Sequence, residues 1–393
     1  MPADPFGIYV HIPFCTAKCG YCDFNSYAGH DHLIPSYGEA LLAEASLWSR
    51  AAGGRTVTSI FFGGGTPSLT PAQEMRQILD GLRAMFEVAT DAEVSLEANP
   101  GSLGPEYLRE LRAAGFNRLS IGVQSFDDAE LKSLDRIHSA ADAEAAVAAA
   151  RAGGFEDLNL DLIYGLPGQT MARWRENLER ALALEPEHLS LYALTIEEGT
   201  PLARDIARGR AEAPDGDLQA DLYEWTQERM AEAGFEHYET SNWARPGHRC
   251  RHNLVYWKHH EYLGLGAGAH SYFNGVRFST VLLPNRYVEL VQEAAATEGA
   301  RTMRHLVNVE PITAEVAASD ALILGLRLIE GVDVDAFNQR FGVDIDGRFG
   351  AAFRECAEYG LIERVEGWLR LTERGRLLSN DVFARLLPEP ASV

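Results

Sequence analysis

Cys15, Cys19 and Cys22 fall within eight positions of a 393-residue chain that has five cysteines in all, while Cys250 and Cys356 stand alone. An odd count with one tight cluster argues against a disulfide framework and for metal binding. Three thiolates hold three irons of a cubane [4Fe–4S] cluster and leave the fourth iron open to a small chelating ligand. S-adenosylmethionine (SAM) suits that opening. Its amino and carboxylate groups chelate the open iron, and an electron from the cluster cleaves its sulfonium to give a 5′-deoxyadenosyl radical. The competing reading is a structural zinc site completed by His11 or Cys250. Zinc knuckles come as paired C-x₂₋₄-C motifs, and Cys-x₃-Cys-x₂-Cys is not one.

Something must position this loop. Six β-like runs recur: Gly7–Pro13, Thr58–Gly63, Glu93–Asn99, Arg118–Gln124, Leu158–Gly165 and His188–Thr195. Most are followed by a helix-period stretch such as Pro71–Phe86, where Met75, Ile78, Leu79 and Leu82 recur on one face. Thr70-Pro71, with Glu74 beyond, reads as its cap. Alternating strand and helix predicts an α/β fold with a parallel sheet. Six units are too few for a complete eight-stranded barrel, so the expectation is a partial (β/α)6, TIM-like barrel over 1–242. A His- and aromatic-rich connecting segment follows at 243–301. Over 302–393 two helical periods and a hairpin turning at Glu366-Gly367 predict a winged-helix-like domain.

Polar residues at the carboxyl ends of parallel strands line the ligand crevice. Here they are the Gly63-Gly64-Gly65-Thr66-Pro67 turn, Glu97, Gln124 and Asp161. The glycines allow close backbone approach to the methionine end of SAM. Asp161, set among Leu158, Leu160, Leu162 and Ile163, needs a partner, and Arg136 is the expected counter-ion. Further along, His248, Cys250, His252, His259, His260 and His270 crowd into 23 positions. Imidazole and thiolate are both axial ligands of haem iron, and Tyr256 and Trp257 offer flat apolar surface. The plainer reading makes His252 and Asn253 loop hydrogen-bonders, Tyr256 and Trp257 core, His259 and His260 solvated surface, and Cys356 inert core.

Composition narrows the class. The chain is 46% hydrophobic and 23% charged, with 35 Lys and Arg against 57 Asp and Glu, a net charge of −22. Such an acidic body repels phosphate backbones, so no nucleic-acid partner is expected. No apolar run approaches the roughly 20 residues that span a bilayer. The start, Met1-Pro2-Ala3-Asp4-Pro5, lacks the features of a signal peptide. A cytoplasmic protein without an integral membrane segment is expected.

Several stretches together resemble the radical-SAM group that contains oxygen-independent coproporphyrinogen III oxidase and the HemW-type haem chaperones. They are Tyr9-x-His11-Ile12-Pro13-Phe14-Cys15, Gly63–Pro67, Glu97-x-Asn99-Pro100, Arg118–Phe126, Arg136-x-His138 and Asp161–Pro167. The resemblance covers nearly the whole chain. It implies that Cys15, Cys19 and Cys22 ligate the cluster and that Tyr9, Gly64 and Glu97 contact the cluster-bound SAM. In the oxidase, positions matching Tyr21, Gly65, Thr66, Gln124, Arg136 and Asp161 contact a second SAM; another such position, near Thr195, is not kept here.

Three departures favour the chaperone side. The oxidase type has a long arm before its first strand, whereas this sequence reaches Tyr9 almost at once. It also has a further cysteine where Phe24 stands. Finally, His252-Asn253-Leu254-Val255-Tyr256-Trp257 resembles the chaperones' HNxxYW motif and makes His252 the first candidate haem ligand, with Cys250 second. The expected function is therefore a haem chaperone that holds a [4Fe–4S] cluster, SAM and haem. It would pass haem to acceptor proteins such as respiratory haem enzymes, with the cluster supporting a homodimer or the transfer. The alternative is the oxidase itself, a radical-SAM oxidative decarboxylase, and a third reading is a radical-SAM enzyme that modifies RNA or protein.

Overall fold

The computed structural model describes residues 4–296 and 303–388; Met1–Ala3 of the segment read for a signal lie outside them. Six parallel strands stand side by side in chain order: β1 (Phe6–Ile12), β2 (Thr56–Gly64), β3 (Glu87–Ala98), β4 (Arg118–Gln124), β5 (Asp157–Tyr164) and β6 (His188–Ala193). Helices α1 (Ile34–Ser49), α2 (Ala72–Met85), α3 (Pro105–Ala114), α4 (Ala140–Ala152) and α5 (Met171–Ala183) make the crossovers, and α6 (Gly216–Glu232) follows β6. The strands carry apolar side chains on both faces because the sheet is covered on both; in β1 every residue but Tyr9 is buried. The helices contribute apolar stripes: Met75, Ile78, Leu79 and Leu82 of α2 are all in the core. The cap is set differently from the expectation, since Pro71 holds the cap position and no side chain bonds there. A reciprocal Ser139–Asp142 capping box opens α4 instead.

The sheet is larger than the sequence suggested, with 12 strands. The stretch expected to be a connecting segment at 243–301 supplies four of the additional strands. These are β8 (Asn242–Ala244), which pairs with β6 and with β7 (Glu236–Glu239), then β9 (Tyr262–Leu265), β10 (His270–Phe273) and β11 (Val276–Thr280). β9 pairs parallel with β1, and β10, β11 and β12 (Leu306–Pro311) continue as an antiparallel meander. The sheet stays open, ending at β12 and β7. Helix α7 (Pro284–Ala296) packs beside α1. These strands were hidden in the sequence because they are short and their aromatics and histidines read as ligands.

The last unit has its own core, with Leu322, Phe337, Ile345, Phe349, Phe353, Cys356, Leu369 and Leu371 buried together. Helices α8 (Ala314–Gly325), α9 (Val334–Phe341) and α10 (Ile345–Glu358) precede a hairpin of β14 (Ile362–Val365) and β15 (Trp368–Leu371). Its turn residues Glu366 and Gly367 both have positive φ, at 49° and 88°, the geometry that matches hairpin twist. The strand Val332–Asp333 adds to β15. Cys356 is fully buried there, as expected for inert core.

Among the described residues no helix is long and apolar enough to cross a membrane.

Candidate functional site

The carboxyl ends of β1–β6 open into a cavity of about 510 Å³. Its wall includes Cys15, Cys19, Cys22, Tyr21, Gly64, Gly65, Thr66, Glu97, Gln124, Arg136 and Asp161. Tyr9 and His252 lie outside this wall. They line a second cavity of about 220 Å³, which shares Glu97, Ser120, Asp161 and Tyr192 with the first.

The cysteine loop leaves β1 and is held by a short parallel ladder, Phe14 against Tyr27 and Cys15 against Ala28. Thr66 Oγ1 donates to Cys15 Sγ at 3.5 Å, and Arg136 Nη1 donates to Cys19 Sγ at 3.4 Å. Among the described residues no three His, Cys, Asp or Glu side chains converge on one point, as a mononuclear zinc ion requires. A cubane takes one thiolate per iron and spreads them. Three cysteines on one cavity wall, two of them receiving hydrogen bonds at sulfur, fit such a cluster.

The glycine turn works differently from the expectation. The amides of Gly64, Gly65 and Thr66 are already committed, to Glu97 Oε2 at 2.9 Å and to the carbonyls of Ile12 and Phe14 at 2.8 Å each. These three amides are therefore not free to meet a ligand, and the glycines serve space and φ. Gly64 has φ of 113°, and a Cβ there would lie 2.5 Å from the His11 ring. His11 cannot move aside. Its Nε2 donates to Asn25 O at 2.8 Å, so its Nδ1 accepts from the Tyr9 hydroxyl at 3.0 Å. Burial holds the imidazole pKa below its usual value and keeps this tautomer neutral. With both nitrogens engaged, His11 is no metal ligand. Gly64→Ala is expected to destabilise the protein by about 1–3 kcal/mol through strain alone, lowering the urea midpoint and abolishing SAM binding in equilibrium dialysis.

Gln124 ends β4 with φ of 66°, at a register break between Ile121 and Gln124. Such a bulge re-aims a side chain, here along the cavity wall. The Arg136-x-His138 motif clamps it, with Arg136 Nη2 on Gly122 O at 2.8 Å and His138 Nε2 on Val123 O at 3.0 Å. Ser125 is fixed by Glu130 and Asn177, and Gln169, which donates to Glu130 and accepts from the Gly165 amide, extends this buried network.

Asp161 is not paired with Arg136 as expected. It accepts from Ser120 Oγ at 3.1 Å and Asn159 Nδ2 at 2.7 Å, while Arg118 forms its salt bridge with Asp157. Burial raises the Asp161 pKa above the usual carboxylate range. Burial, then the charge of Asp161, lifts Glu97 to about 7, against the pull of the Gly64 amide. Among the described residues neither buried carboxyl has a salt-bridge partner, and SAM brings an ammonium and a sulfonium. Sequence reasoning missed Ser120, Asn159 and Ser190, whose Oγ donates to Asn159 Oδ1 at 3.1 Å. Their signal was the two-residue spacing that puts Asn159 on the same strand face as Asp161.

The HNxxYW stretch opens the short helix Arg251–Trp257. Glu93 of β3 caps it, accepting from the amides of Arg251 and His252 at 2.8 and 3.1 Å. His252 points into the barrel, stacked on Phe61 at 5.2 Å between centroids. Its Nδ1 bonds Ser59 Oγ and its Nε2 bonds the Tyr256 hydroxyl, each at 2.9 Å. The ring is 1% exposed and both of its nitrogens meet these neighbours. Burial pushes its pKa down to about 3. Cys250 is 2% exposed beside Glu93, and burial pushes its thiol pKa up, away from thiolate. Trp257 lies under the Arg327 guanidinium at 4.5 Å. His259 and His260 are not solvated surface. His259 is 6% exposed, packed on Tyr272 and Phe341, and Arg340 caps the carbonyls of Lys258 and His259. This part of the stretch docks the last unit on the barrel.

Comparison with known proteins matches this architecture. Residues 9–181 match the Radical SAM superfamily model, and residues 312–378 match the HemN C-terminal domain. Heme chaperone HemW of Mycobacterium tuberculosis is 41% identical, over 98% of this chain and 96% of that protein. Heme chaperone HemW of Escherichia coli is 36% identical, over 98% and 99%. The solved structure of the radical-SAM enzyme coproporphyrinogen III oxidase (HemN) from Escherichia coli superposes with a TM-score of 0.84 and 26% identity. That match covers 99% of this chain and 92% of the oxidase. Membership of the superfamily implies a [4Fe–4S] cluster and SAM. On full-length identity the chain belongs to the HemW family of radical-SAM proteins.

Proposed function

We propose that this protein is a haem chaperone, carrying haem and passing it to acceptor proteins such as respiratory haem enzymes. The single observation that carries this reading is end-to-end identity with proteins named heme chaperone HemW. Cys15, Cys19 and Cys22 would hold the cluster, which supplies electrons and an open iron when present. Gly64 and Glu97, with Tyr9 beneath them, would hold SAM. Tyr21, Gly65, Thr66, Gln124, Arg136 and Asp161 line the rest of the same cavity, which supports their service to SAM or to what lies beside it. Phe24 supports the chaperone over the oxidase. It lines the cavity wall, 61% exposed, where the oxidase type has a further cysteine.

The second reading, oxidative decarboxylation of coproporphyrinogen III, is favoured by the superposition on that oxidase. One anaerobic experiment separates them. The reconstituted protein is given SAM, a reductant and coproporphyrinogen III, and separately haem and an apo-haem protein. The chaperone reading predicts no protoporphyrinogen and transfer of haem to the apoprotein. Product formed with SAM turnover would establish the oxidase instead.

A further inference from the structure

One rung of the parallel sheet carries a polar residue on each of four neighbouring strands. The register sets Glu97 of β3 beside Ser120 of β4, Ser120 beside Asn159 of β5, and Asn159 beside His188 of β6. These residues line the smaller cavity inside the barrel, and the last three are buried. Buried polar groups must satisfy one another, so their bonds form a chain. The hydroxyl of Tyr238, on β7, meets His188 Nε2 at 2.8 Å, and His188 Nδ1 meets Asn159 Oδ1 at 2.6 Å. Ser190 Oγ donates to the same oxygen at 3.1 Å. Asn159 Nδ2 donates to Ser120 Oγ and to Asp161 Oδ1, both at 2.7 Å, and Ser120 Oγ donates to Asp161 Oδ2 at 3.1 Å.

One assignment of protons satisfies this chain while Asp161 is ionised. A carboxylate accepts and does not donate, so Asn159 turns its NH2 towards Asp161 and its carbonyl towards His188. That carbonyl needs a donor, which puts the imidazole proton on Nδ1. Burial, followed by the nearby Arg118 charge, holds the His188 pKa well below its ordinary value and keeps the ring neutral, with a single proton. Nε2 therefore accepts, and the buried Tyr238 hydroxyl donates to it. Turning the amide over would set Asn159 Oδ1 against Asp161 Oδ1 at the same 2.7 Å, an arrangement that requires a proton on Asp161.

We propose that His188 is a positioning residue acting through Asn159: its Nδ1–H locks the amide with the NH2 towards Asp161, so that Asp161 meets the cavity's cationic ligand as a carboxylate. The inference rests on the reading above of this cavity as the SAM site, with Asp161 in its wall. Burial pushes Asp161 towards its protonated form, and the hydrogen bonds from Asn159, Ser120 and Ser190 oppose it. The charged and titratable groups that face Asp161 are Glu97 of β3, Arg118 of β4, Tyr192 of β6, and Tyr21 and Arg136 of the cavity wall. Arg118 bonds Asp157, and Arg136 bonds Cys19 and Gly122, so neither takes the place of the Asn159 amide. Because the Asp161 charge helps to raise Glu97, loss of that charge has a measurable consequence elsewhere in the cavity.

The test measures SAM affinity of the reconstituted full chain by equilibrium dialysis between about pH 5 and 8. In wild type the affinity rises with a midpoint near 7, set by Glu97. His188→Leu leaves the Asn159 carbonyl without its donor, so the amide turns over and Asp161 keeps its proton. The midpoint is then expected to fall by roughly half a pH unit or more, as Glu97 is relieved of a like charge. Affinity at the alkaline end is expected to fall about tenfold. His188→Asn puts an amide nitrogen where Nδ1 stood and is expected to restore the midpoint, with affinity within about threefold of wild type. Tyr238→Phe removes only the hydroxyl that fixes the tautomer, and a smaller shift in the same direction is expected. Cluster content and far-ultraviolet dichroism report whether each variant is folded. A purely structural role for His188 would lower stability without moving the midpoint. A wild-type midpoint in His188→Leu, or in Tyr238→Phe should His188→Leu not fold, would overturn the proposal. An equal shift in His188→Asn would do the same, since packing and not the Nδ1 proton would then be responsible. A wild type that binds no SAM would overturn the SAM reading itself.

Discussion

Replacing Cys19 by serine is expected to strip the reconstituted protein of its cluster, with iron and sulfide content and cluster absorption falling together. The loss should exceed the roughly 10–100-fold that removing supporting groups around a metal ligand costs, because Cys19 is proposed as a ligand and not as a support. A serine hydroxyl has a far higher pKa than a thiol and is a poor ligand for iron–sulfur clusters. Arg136 donates to Cys19 Sγ at 3.4 Å, a contact that goes with the sulfur. SAM binding should fall with the cluster, since the open iron is its expected anchor. The fold should survive: Cys19 is half-buried on a loop and belongs to none of the hydrophobic cores. Unchanged dichroism and thermal midpoint would show this. A variant that kept full iron content would mean that some other residue completes the ligand set.

Glu97→Gln carries the second large effect. A charge-assisted hydrogen bond is worth about 1.5–3 kcal/mol, so loss of the carboxylate should weaken SAM binding by roughly tenfold to a hundredfold. The pH dependence gives a sharper signature. Burial, and secondarily the charge on Asp161, raises Glu97 to about 7, so the group ionises as pH climbs from 6 to 8. Wild-type SAM affinity should rise across that window, because the ionised form is the one that pairs with an ammonium. The glutamine variant should be flat. Stability of the unliganded protein should run in the opposite direction. A carboxyl whose pKa is raised by folding contributes stability below its unfolded value, and that contribution is lost as pH rises through about 7. Saturating SAM should offset the loss. Isothermal titration and urea melts across this range check both halves; a rising affinity in Glu97→Gln would assign the titration to another group.

Much of the scaffold was legible because strong local signals and tertiary packing agree. The runs at Arg118–Gln124 and His188–Thr195 became strands because their Leu, Ile and Val side chains have core to meet on both faces. The hairpin at Glu366-Gly367 formed where the turn residues require it. What the sequence hid was pairing between distant segments. Nothing local in Tyr262–Leu265 says that it will lie parallel to β1, and nothing in Glu93 says that it will cap a helix more than 150 residues away. Histidines were the hardest to read. Imidazole is at once a ligand, a hydrogen-bonding core group and an aromatic ring, so His252, His259 and His260 were indistinguishable from ligands or surface until their neighbours were known.

The family and the alternating α/β architecture could be read from residue types and short-range spacing, and the same spacing marked Cys15, Cys19 and Cys22 as candidates. Tertiary structure alone decided the rest. It committed the glycine-turn amides, left Asp161 to Ser120 and Asn159 instead of Arg136, and closed His252 between Ser59 and Tyr256. Whether a polar group is free to act depends on which distant group has already taken its hydrogen bonds, and only the folded chain specifies that.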